Sequence, residues 1–232
     1  MRGGDWAANV RPERWAEFNR LLHLAGQVND LATRLAPEDP TPWASRLDLM
    51  IDQSAPRDDV EETWRELTRR DPWHREGHTL KLTYHCRKWS GSHEAMFGFA
   101  RSVAAAAPAG SPLQVLPVRA AAEWALWEQE REAPGSTADH IGQRWRQDPV
   151  MQSDLDNALS RWFHQPATRH ADWLNDVNFL AYGLARTGRD ADAAPVFASI
   201  GRYVTSVPWS WWGGARGDAA FIRACRRARR AA

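Results

Sequence analysis

Residues 178–197 read Asn178-Phe-Leu-Ala-Tyr-Gly-Leu-Ala-Arg-Thr-Gly-Arg-Asp-Ala-Asp-Ala-Ala-Pro-Val-Phe197. Small residues stand where two paired helices would approach each other, and Gly188 stands at the turn between them. Pro195 removes one backbone hydrogen bond from the second helix unless it lies in the first turn or at a kink. The segment therefore predicts a hairpin of two helices, which buries little by itself and is stabilised by stacking on neighbouring hairpins.

Helical periodicity recurs through the rest of the chain, whereas strand alternation does not. Over residues 12–35 the apolar residues follow a spacing of three and four, which places them on one helical face. This pattern predicts an all-α fold. Residues 12–35 are predicted to form one long helix, or two joined near Gly26. We predict further helices at residues 43–51, 58–70, 71–89, 93–107, 113–131, 138–147, 151–163, 171–186, 191–205 and 218–230, and a loop at 209–215. Asp71 and Ser92 are expected to cap the helices that begin beside them.

A weak repeat organises these helices. The Asp-Pro pair recurs at residues 39, 71 and 148. The first two copies are 71 − 39 = 32 residues apart, close to the roughly 34-residue period of helix-turn-helix repeats. We predict a single domain over residues 1–232, with a possible subdivision near 132–137. Its architecture is a degenerate tetratricopeptide-like helical-hairpin array, an α-solenoid, and the alternative is an irregular helical bundle.

Composition limits the compartment and the partners. The formal net charge is +1, so no strongly charged partner is implied. Cys86 and Cys225 lie far apart and fit a reduced cytosolic protein better than a disulfide framework. No segment approaches the roughly 20 apolar residues of a membrane span. We therefore expect a cytoplasmic protein outside the membrane, and its arginine-rich, alanine-rich composition is typical of GC-rich bacteria.

Two surface features carry further expectations. The basic C-terminal residues 223–232 fit a solvated helix end, and no nucleic-acid-binding module accompanies them, so nucleic acid is not an expected partner. The chain is rich in tryptophan, with 14 in 232 residues. Three of them lie in Pro208-Trp-Ser-Trp-Trp212, which either closes the end of the helical stack or exposes an aromatic interface.

A polar stripe marks the helix predicted at 71–89. His74, His78, Lys81 and His85 fall within about 60° of one another around a helix, so they line one side of it. Apolar and aromatic residues flank the stripe on both sides. The stripe is therefore expected to line a groove or an internal seam between helices.

Three chemical roles remain open for the stripe. His74 and His78 are one turn apart and could chelate a metal ion, with a third ligand from another segment such as His93 or Glu123. Lys81 would repel that ion. Alternatively the histidines hydrogen-bond between stacked helices, or the stripe holds an anion or a polar peptide. We expect neither a metal nor another cofactor.

Four motifs stand out in the sequence. They are Asp-Pro-x-His-Arg-x-x-His from residue 71, Lys-Trp-x-Gly-Ser-His-Glu-x-Met-Phe-x-Phe-Ala-Arg from 88, Pro-x-Gly-Ser-Pro-Leu from 108, and Val-Phe-x-x-Ile-Gly-x-x-Val-Thr-x-x-Pro-Trp from 196. Together they resemble a family of uncharacterised actinobacterial helical-repeat proteins. The resemblance covers roughly residues 37–212. It implies an all-helical cytosolic protein and brings no activity or cofactor with it. Similar proteins are expected to carry a histidine and an acid in the helix from Leu113, where this chain reads Ala-Ala-Glu-Trp-Ala at 121–125.

The sequence favours a non-catalytic module that binds a protein or peptide in a polar and aromatic groove around residues 74–101. The alternative is a metal- or histidine-dependent enzyme of unknown reaction, with its site at His74, His78 and His93. No residue is assigned a catalytic or metal-ligating role. The candidate binding residues are His74, Arg75, His78, Lys81, His85, Lys88, Trp89, Ser92, His93 and Arg101.

Overall fold

The structure is a computed structural model of the chain, and it describes residues 12–89, 91–131, 139–166, 169–213 and 216–232. These residues form twelve α-helices and no strand, which confirms the prediction of an all-α fold. No helix among them is both long and apolar enough to span a bilayer. The chain divides into two compact units, with the boundary between Tyr84 and His85. The predicted subdivision at 132–137 lies outside the described residues.

Unit 1 contains three helices and most of a fourth. Their bounds are α1 Pro12–Leu35, α2 Pro40–Asp52, α3 Arg57–Arg70 and α4 Arg75–His85.

Unit 2 contains the remaining eight. Their bounds are α5 His93–Ala106, α6 Leu116–Arg131, α7 Asp139–Gln147, α8 Pro149–Ala158, α9 Trp173–Arg186, α10 Asp190–Ile200, α11 Trp209–Gly213 and α12 Gly217–Ala231.

Within unit 1, helices that are adjacent in sequence pack on one another, α1 on α2 and α2 on α3. Asp39 starts α2, because its side chain accepts a hydrogen bond from the Thr41 amide at 2.8 Å. Leu47 of α2 and Leu67 of α3 are fully buried. A Cβ atom on Gly77 would displace the Leu67 side chain, so a glycine favours the close approach of α4 to this core.

The core of unit 2 surrounds α9. All its residues from Asp176 to Arg186 are buried, and the helix contacts α6, α7, α8, α10 and α12. A Cβ on Gly183 would lie 2.7 Å from Val118 and 2.9 Å from Leu155. Small residues were expected where the two helices of the hairpin approach each other, whereas Gly183 lies where α6 and α8 both meet α9.

The helix predicted at 71–89 is shorter at both ends, as α4 begins at Arg75 and ends at His85. Asp71 does not cap it. Its carboxylate instead accepts a hydrogen bond from the Trp73 amide at 2.9 Å and closes a turn before the helix. At the other end, the Trp89 amide donates to the Cys86 carbonyl at 3.0 Å in a second turn.

Two predictions near the C-terminus were also wrong in detail. The helix predicted to reach residue 205 ends at Ile200, because Gly201 takes a positive φ of 64° that side-chain-bearing residues rarely adopt. Pro195 lies inside this helix. The loop predicted at 209–215 contains the short helix α11.

Candidate functional site

The first histidines of the predicted stripe are bound into the start of α4. The His74 Nδ1 atom accepts a hydrogen bond from the Gly77 amide at 3.1 Å. The His78 Nδ1 atom lies 2.9 Å from the His74 carbonyl oxygen, which can only accept, so Nδ1 carries the proton. In both His74 and His78, the Nδ1 atom therefore forms a hydrogen bond with the backbone.

His78 is an internal residue of unit 1. Its side chain is buried, and its ring lies 4.9 Å from Trp64, edge to face, and 6.4 Å from Trp73, stacked. Burial lowers the pKa of His78, and the hydrogen bond to the His74 carbonyl only partly opposes this effect. The ring is thus held neutral against aromatic neighbours.

This burial predicts an acid-sensitive unit 1. An unfolded histidine has an ordinary pKa of 6.5, so below that pH the unfolded chain binds more protons at this position than the folded chain does. The free energy of unfolding should therefore fall as the pH is lowered through this range. Urea denaturation from about pH 7.5 to about pH 5.5 should show a steeper loss in wild type than in His78→Gln.

The control for this prediction is His23→Gln, which removes an exposed histidine from α1 of the same unit. Its pH dependence should match that of wild type. If wild type and His78→Gln lost stability in parallel, the buried neutral ring would not be the source of the acid sensitivity.

Lys81 is paired inside unit 1 and is only 2% exposed. Its ammonium group lies 2.7 Å from Glu61 Oε1 and 4.9 Å from the centre of the Tyr84 ring. Burial lowers the pKa of Lys81, against the opposing effect of Glu61. Arg75 pairs with the neighbouring Glu76 at 2.8 Å. Both Lys81 and Arg75 are therefore paired with a glutamate of the protein.

The described residues contain no group of three or more His, Cys, Asp or Glu side chains that could hold a metal ion. His74 and His78 lie in unit 1, whereas His93 lies in unit 2. The ligand set considered from the sequence is therefore not assembled within either unit.

In unit 2, His85 and Ser92 have local structural contacts. The His85 ring lies 5.1 Å from the Phe99 ring. Ser92 caps α5, as predicted, by accepting a hydrogen bond from the Ala95 amide at 3.1 Å. Trp89 is partly buried in the turn between α4 and α5.

Arg101 joins α5 to α8 through an ion pair. Its Nε and Nη2 atoms donate to Asp154 Oδ2 at 3.1 and 3.0 Å. Burial raises the pKa of Asp154, and Arg101 opposes that effect. The contact fixes two helices to each other and leaves only part of the guanidinium exposed.

Lys88 and His93 line a cavity of about 10 Å³ in unit 2, together with Glu123. Lys88 pairs with Glu123 at 2.7 Å. Both ring nitrogens of His93 are buried with no hydrogen-bond partner among the described residues. Burial, and then the charge of Arg87, lowers the pKa of His93. The cavity has room for about one water molecule and not for a substrate.

Cys86 lines the same small cavity but is not an activated nucleophile. Its sulfur contacts Met96 Sδ at 3.4 Å. Burial, and then the charge of Glu123, raises the pKa of the thiol well above its ordinary value, in spite of the nearby Lys88. The reactive thiolate is therefore disfavoured.

An exposed apolar surface lies on α1 and was not predicted as a site. The sequence pattern placed the apolar residues of 12–35 on one helical face, and the structure covers only part of that face. Asn29 is buried toward α2, where its side chain donates to the Pro42 carbonyl at 2.8 Å. Five aliphatic side chains stay exposed and are here named the leucine stripe: Leu21, Leu24, Val28, Leu31 and Leu35.

The signal for the leucine stripe was present in the sequence. Its members recur at alternating intervals of three and four residues, the heptad spacing that forms a narrow seam on a helix. A helix that is apolar over a wider arc than one neighbour can cover predicts a second neighbour.

Unit 2 also contains a cavity of about 700 Å³ that was not predicted from the sequence, here named the arginine cavity. No local sequence pattern indicates it, because its walls come from six helices, α7 to α12, and the turn between α9 and α10. Its lining residues are Gly142, Arg146, Gln152, Ala185, Arg186, Thr187, Gly188, Arg189, Asp190, Trp212 and Arg227.

Among the described residues, the leucine stripe in unit 1 and the arginine cavity in unit 2 are open to solvent, whereas His78 and Lys81 are buried. Comparisons with protein-family models, with curated proteins and with solved structures found no match to this chain.

Proposed function

We propose that the protein is a non-catalytic binding module, and that unit 1 binds an amphipathic helix of a partner protein along the leucine stripe. The observation that carries this proposal is the exposure of the stripe, whose members are between 42% and 77% exposed. Residues 74–101 were the first candidate for the contact. Because His78 and Lys81 are buried, the leucine stripe is the better candidate for this contact.

The spacing of the stripe suits a helical partner. Leu21, Val28 and Leu35 take the a positions of a heptad, and Leu24 and Leu31 take the d positions. Side chains in this arrangement insert between those of a facing helix. Covering apolar surface contributes about 25 cal/mol per Å², and contiguous exposed apolar patches mark interaction sites.

Charge beside the stripe selects the kind of partner. Arg20 and Arg34 occupy two of the three g positions, and the third is Gln27. The e positions on the other side are the uncharged Ala25 and Ala32. Arg34 makes no ion pair within the described part of the chain, whereas Arg20 pairs with Glu17 at 2.7 Å. A partner helix with leucine in its seam and glutamate beside it would complement this surface.

A second copy of this chain fits less well. In a parallel pair the arginines would face alanines, which adds no attraction. In an antiparallel pair that aligns the a and d positions, Arg20 would face Arg34 of the other copy, and like charges disfavour that arrangement. We therefore assign the stripe to a different, acidic helix.

We also propose the finer architecture of a tetratricopeptide-like array in the bacterial cytoplasm. Sequential packing of α1 on α2, α2 on α3 and α9 on α10 supports hairpin units. Both cysteines are free and buried, as expected of a reduced compartment. Such arrays present helical surfaces to protein partners.

The experiment uses a synthetic peptide of three heptads with leucine at a and d and glutamate at e and g. Calorimetric titration into the full chain should give saturable binding, because the peptide covers the stripe and pairs with its arginines. Leu24→Lys should weaken the affinity at least about tenfold by placing a charge in the seam. Asn19→Lys, which adds the same charge on the opposite side of α1, should bind like wild type.

Several results would contradict the proposal. They are an absence of binding of the acidic peptide, an equal loss of affinity in Leu24→Lys and Asn19→Lys, and binding of a control peptide with lysine at e and g that is as tight as that of the acidic peptide. Sedimentation showing a wild-type dimer that Leu24→Lys dissociates would assign the stripe to a second copy. A large loss of thermal stability in Leu24→Lys would show that the chain itself covers the stripe.

A further inference from the structure

We propose that the arginine cavity binds a small phosphate-bearing molecule. This inference goes beyond the proposed protein contact and does not depend on it, since the cavity lies wholly in unit 2. Its volume of about 700 Å³ falls within the range of small-molecule sites. Four arginines and one aspartate line it, together with Trp212 as an aromatic wall.

The charges that line the cavity are unequally neutralised. Arg189 pairs with Asp156 and Asp192, each at 2.7 Å. Arg227 pairs with Asp190 at 3.3 Å. Arg146 makes no ion pair among the described residues, so its charge is available to an anion.

Arg186 supplies a second, deeply placed cation. Its side chain donates from Nη1 to the Tyr182 hydroxyl at 3.0 Å. Its guanidinium carbon lies 5.0 Å from the centre of the Trp212 ring and 5.4 Å from that of Trp145. The residue is only 3% exposed and still contributes to the cavity wall. Charge attraction toward an anion is stronger in such a poorly solvated position.

Two backbone carbonyls that would repel an anion are covered by arginines of the cavity wall. The C-terminal carbonyls of α9 carry partial negative charge. The Ala185 carbonyl accepts a hydrogen bond from Arg227 Nη2 at 2.9 Å, and the Thr187 carbonyl accepts one from Arg146 Nε at 3.0 Å. The two terminal nitrogens of Arg146 keep their donors, because only Nε makes a hydrogen bond within the described residues.

Gly188 preserves the position of Arg146. A Cβ atom at this residue would lie 2.7 Å from Arg146 Nη2, and the backbone has a positive φ of 73° that favours glycine. A guanidinium with two parallel terminal donors matches a phosphate group in a bidentate contact. Paired phosphates would engage Arg146 and a second arginine of the wall.

The test is calorimetric titration of the full chain with inorganic diphosphate at constant ionic strength. Wild type should bind saturably, and Arg146→Met should bind at least about tenfold more weakly because a charge-assisted bidentate contact is lost. Arg146→Lys should lie between the two, since it keeps the charge without the fork. Arg144→Met removes the same charge from an exposed neighbour on α7 that does not line the cavity, and it should stay within about twofold of wild type.

A second variant separates binding from folding damage. Asp190→Asn removes the one acid among the described lining residues and breaks its ion pair with Arg227. It should bind diphosphate several-fold more tightly, a gain that misfolding cannot produce.

The proposal fails if wild type shows no saturable binding, or if Arg144→Met and Arg146→Met weaken binding equally, because the attraction would then be non-specific. Unchanged or weaker binding in Asp190→Asn would also overturn it. A phosphoserine peptide that binds more tightly than diphosphate, with the same dependence on Arg146, would assign the cavity to a phosphorylated protein instead.

Discussion

Trp209→Ala is expected to lower the free energy of unfolding of unit 2 by about 4 kcal/mol. Trp209 is fully buried and packs against aromatic rings of three other helices, α9, α10 and α12. Its ring centre lies 5.9 Å from Tyr182, 5.9 Å from Phe197 and 5.2 Å from Phe221. Its indole nitrogen donates to the Asn178 side chain at 2.8 Å. The substitution removes this packing, leaves a cavity and orphans a buried acceptor.

Urea denaturation followed by circular dichroism measures this effect. Trp209→Phe is the matched variant, because it keeps an aromatic ring but loses the hydrogen bond to Asn178, and it should lose about 2 kcal/mol. A loss below about 1 kcal/mol in Trp209→Ala would show that this residue does not anchor the core of unit 2. That result would favour the other role considered for the tryptophan cluster at 208–212, an exposed aromatic interface.

Asp176→Ala is expected to destabilise the same unit by about 3–5 kcal/mol. Asp176 is 1% exposed and accepts two hydrogen bonds from Arg119, at 3.1 Å from Nε and 2.8 Å from Nη2. The Arg119 guanidinium also lies 4.1 Å from the centre of the Phe179 ring. Removing the carboxylate leaves a guanidinium enclosed in the protein without its principal counter-charge.

The control for Asp176→Ala is the double variant Arg119→Met/Asp176→Leu. Replacing both members of a buried ion pair with apolar residues is often nearly neutral, so the double variant should be more stable than Asp176→Ala alone. Asp176→Ala and the double variant should shift the same unfolding transition as Trp209→Ala, since Arg119, Asp176 and Trp209 all lie in unit 2. A double variant less stable than the single one would contradict the role assigned to the uncompensated charge.

The sequence predicted the helical class because the relevant signals are local. Apolar spacing over 12–35 predicted one long helix or two joined near Gly26, and α1 is a single helix with these bounds. Ser92 was correctly predicted as a cap of the following helix. The same reasoning wrongly predicted that Asp71 caps α4. An aspartate before a proline can cap a helix or close a turn, and here it bonds to Trp73 in a turn.

The candidate site was less accessible to prediction because it depends on contacts between distant residues. The stripe of His74, His78 and Lys81 was expected to line a groove or a seam, and its placement inside unit 1 depends on Glu61 and Trp64 from the preceding helix. Periodicity identified the apolar face of α1 but not how much of it α2 would cover. The arginine cavity joins residues from 142 to 227 and has no sequence pattern of its own.

The proposed binding of an acidic partner helix to the leucine stripe is tested most directly by methyl NMR of the full chain. On addition of the acidic heptad peptide, the methyl resonances of Leu24, Val28 and Leu31 should shift, while those of Leu180, which is fully buried in unit 2, should stay in place. Shifts that spare the stripe, or that appear at Leu180 with equal size, would contradict the claim.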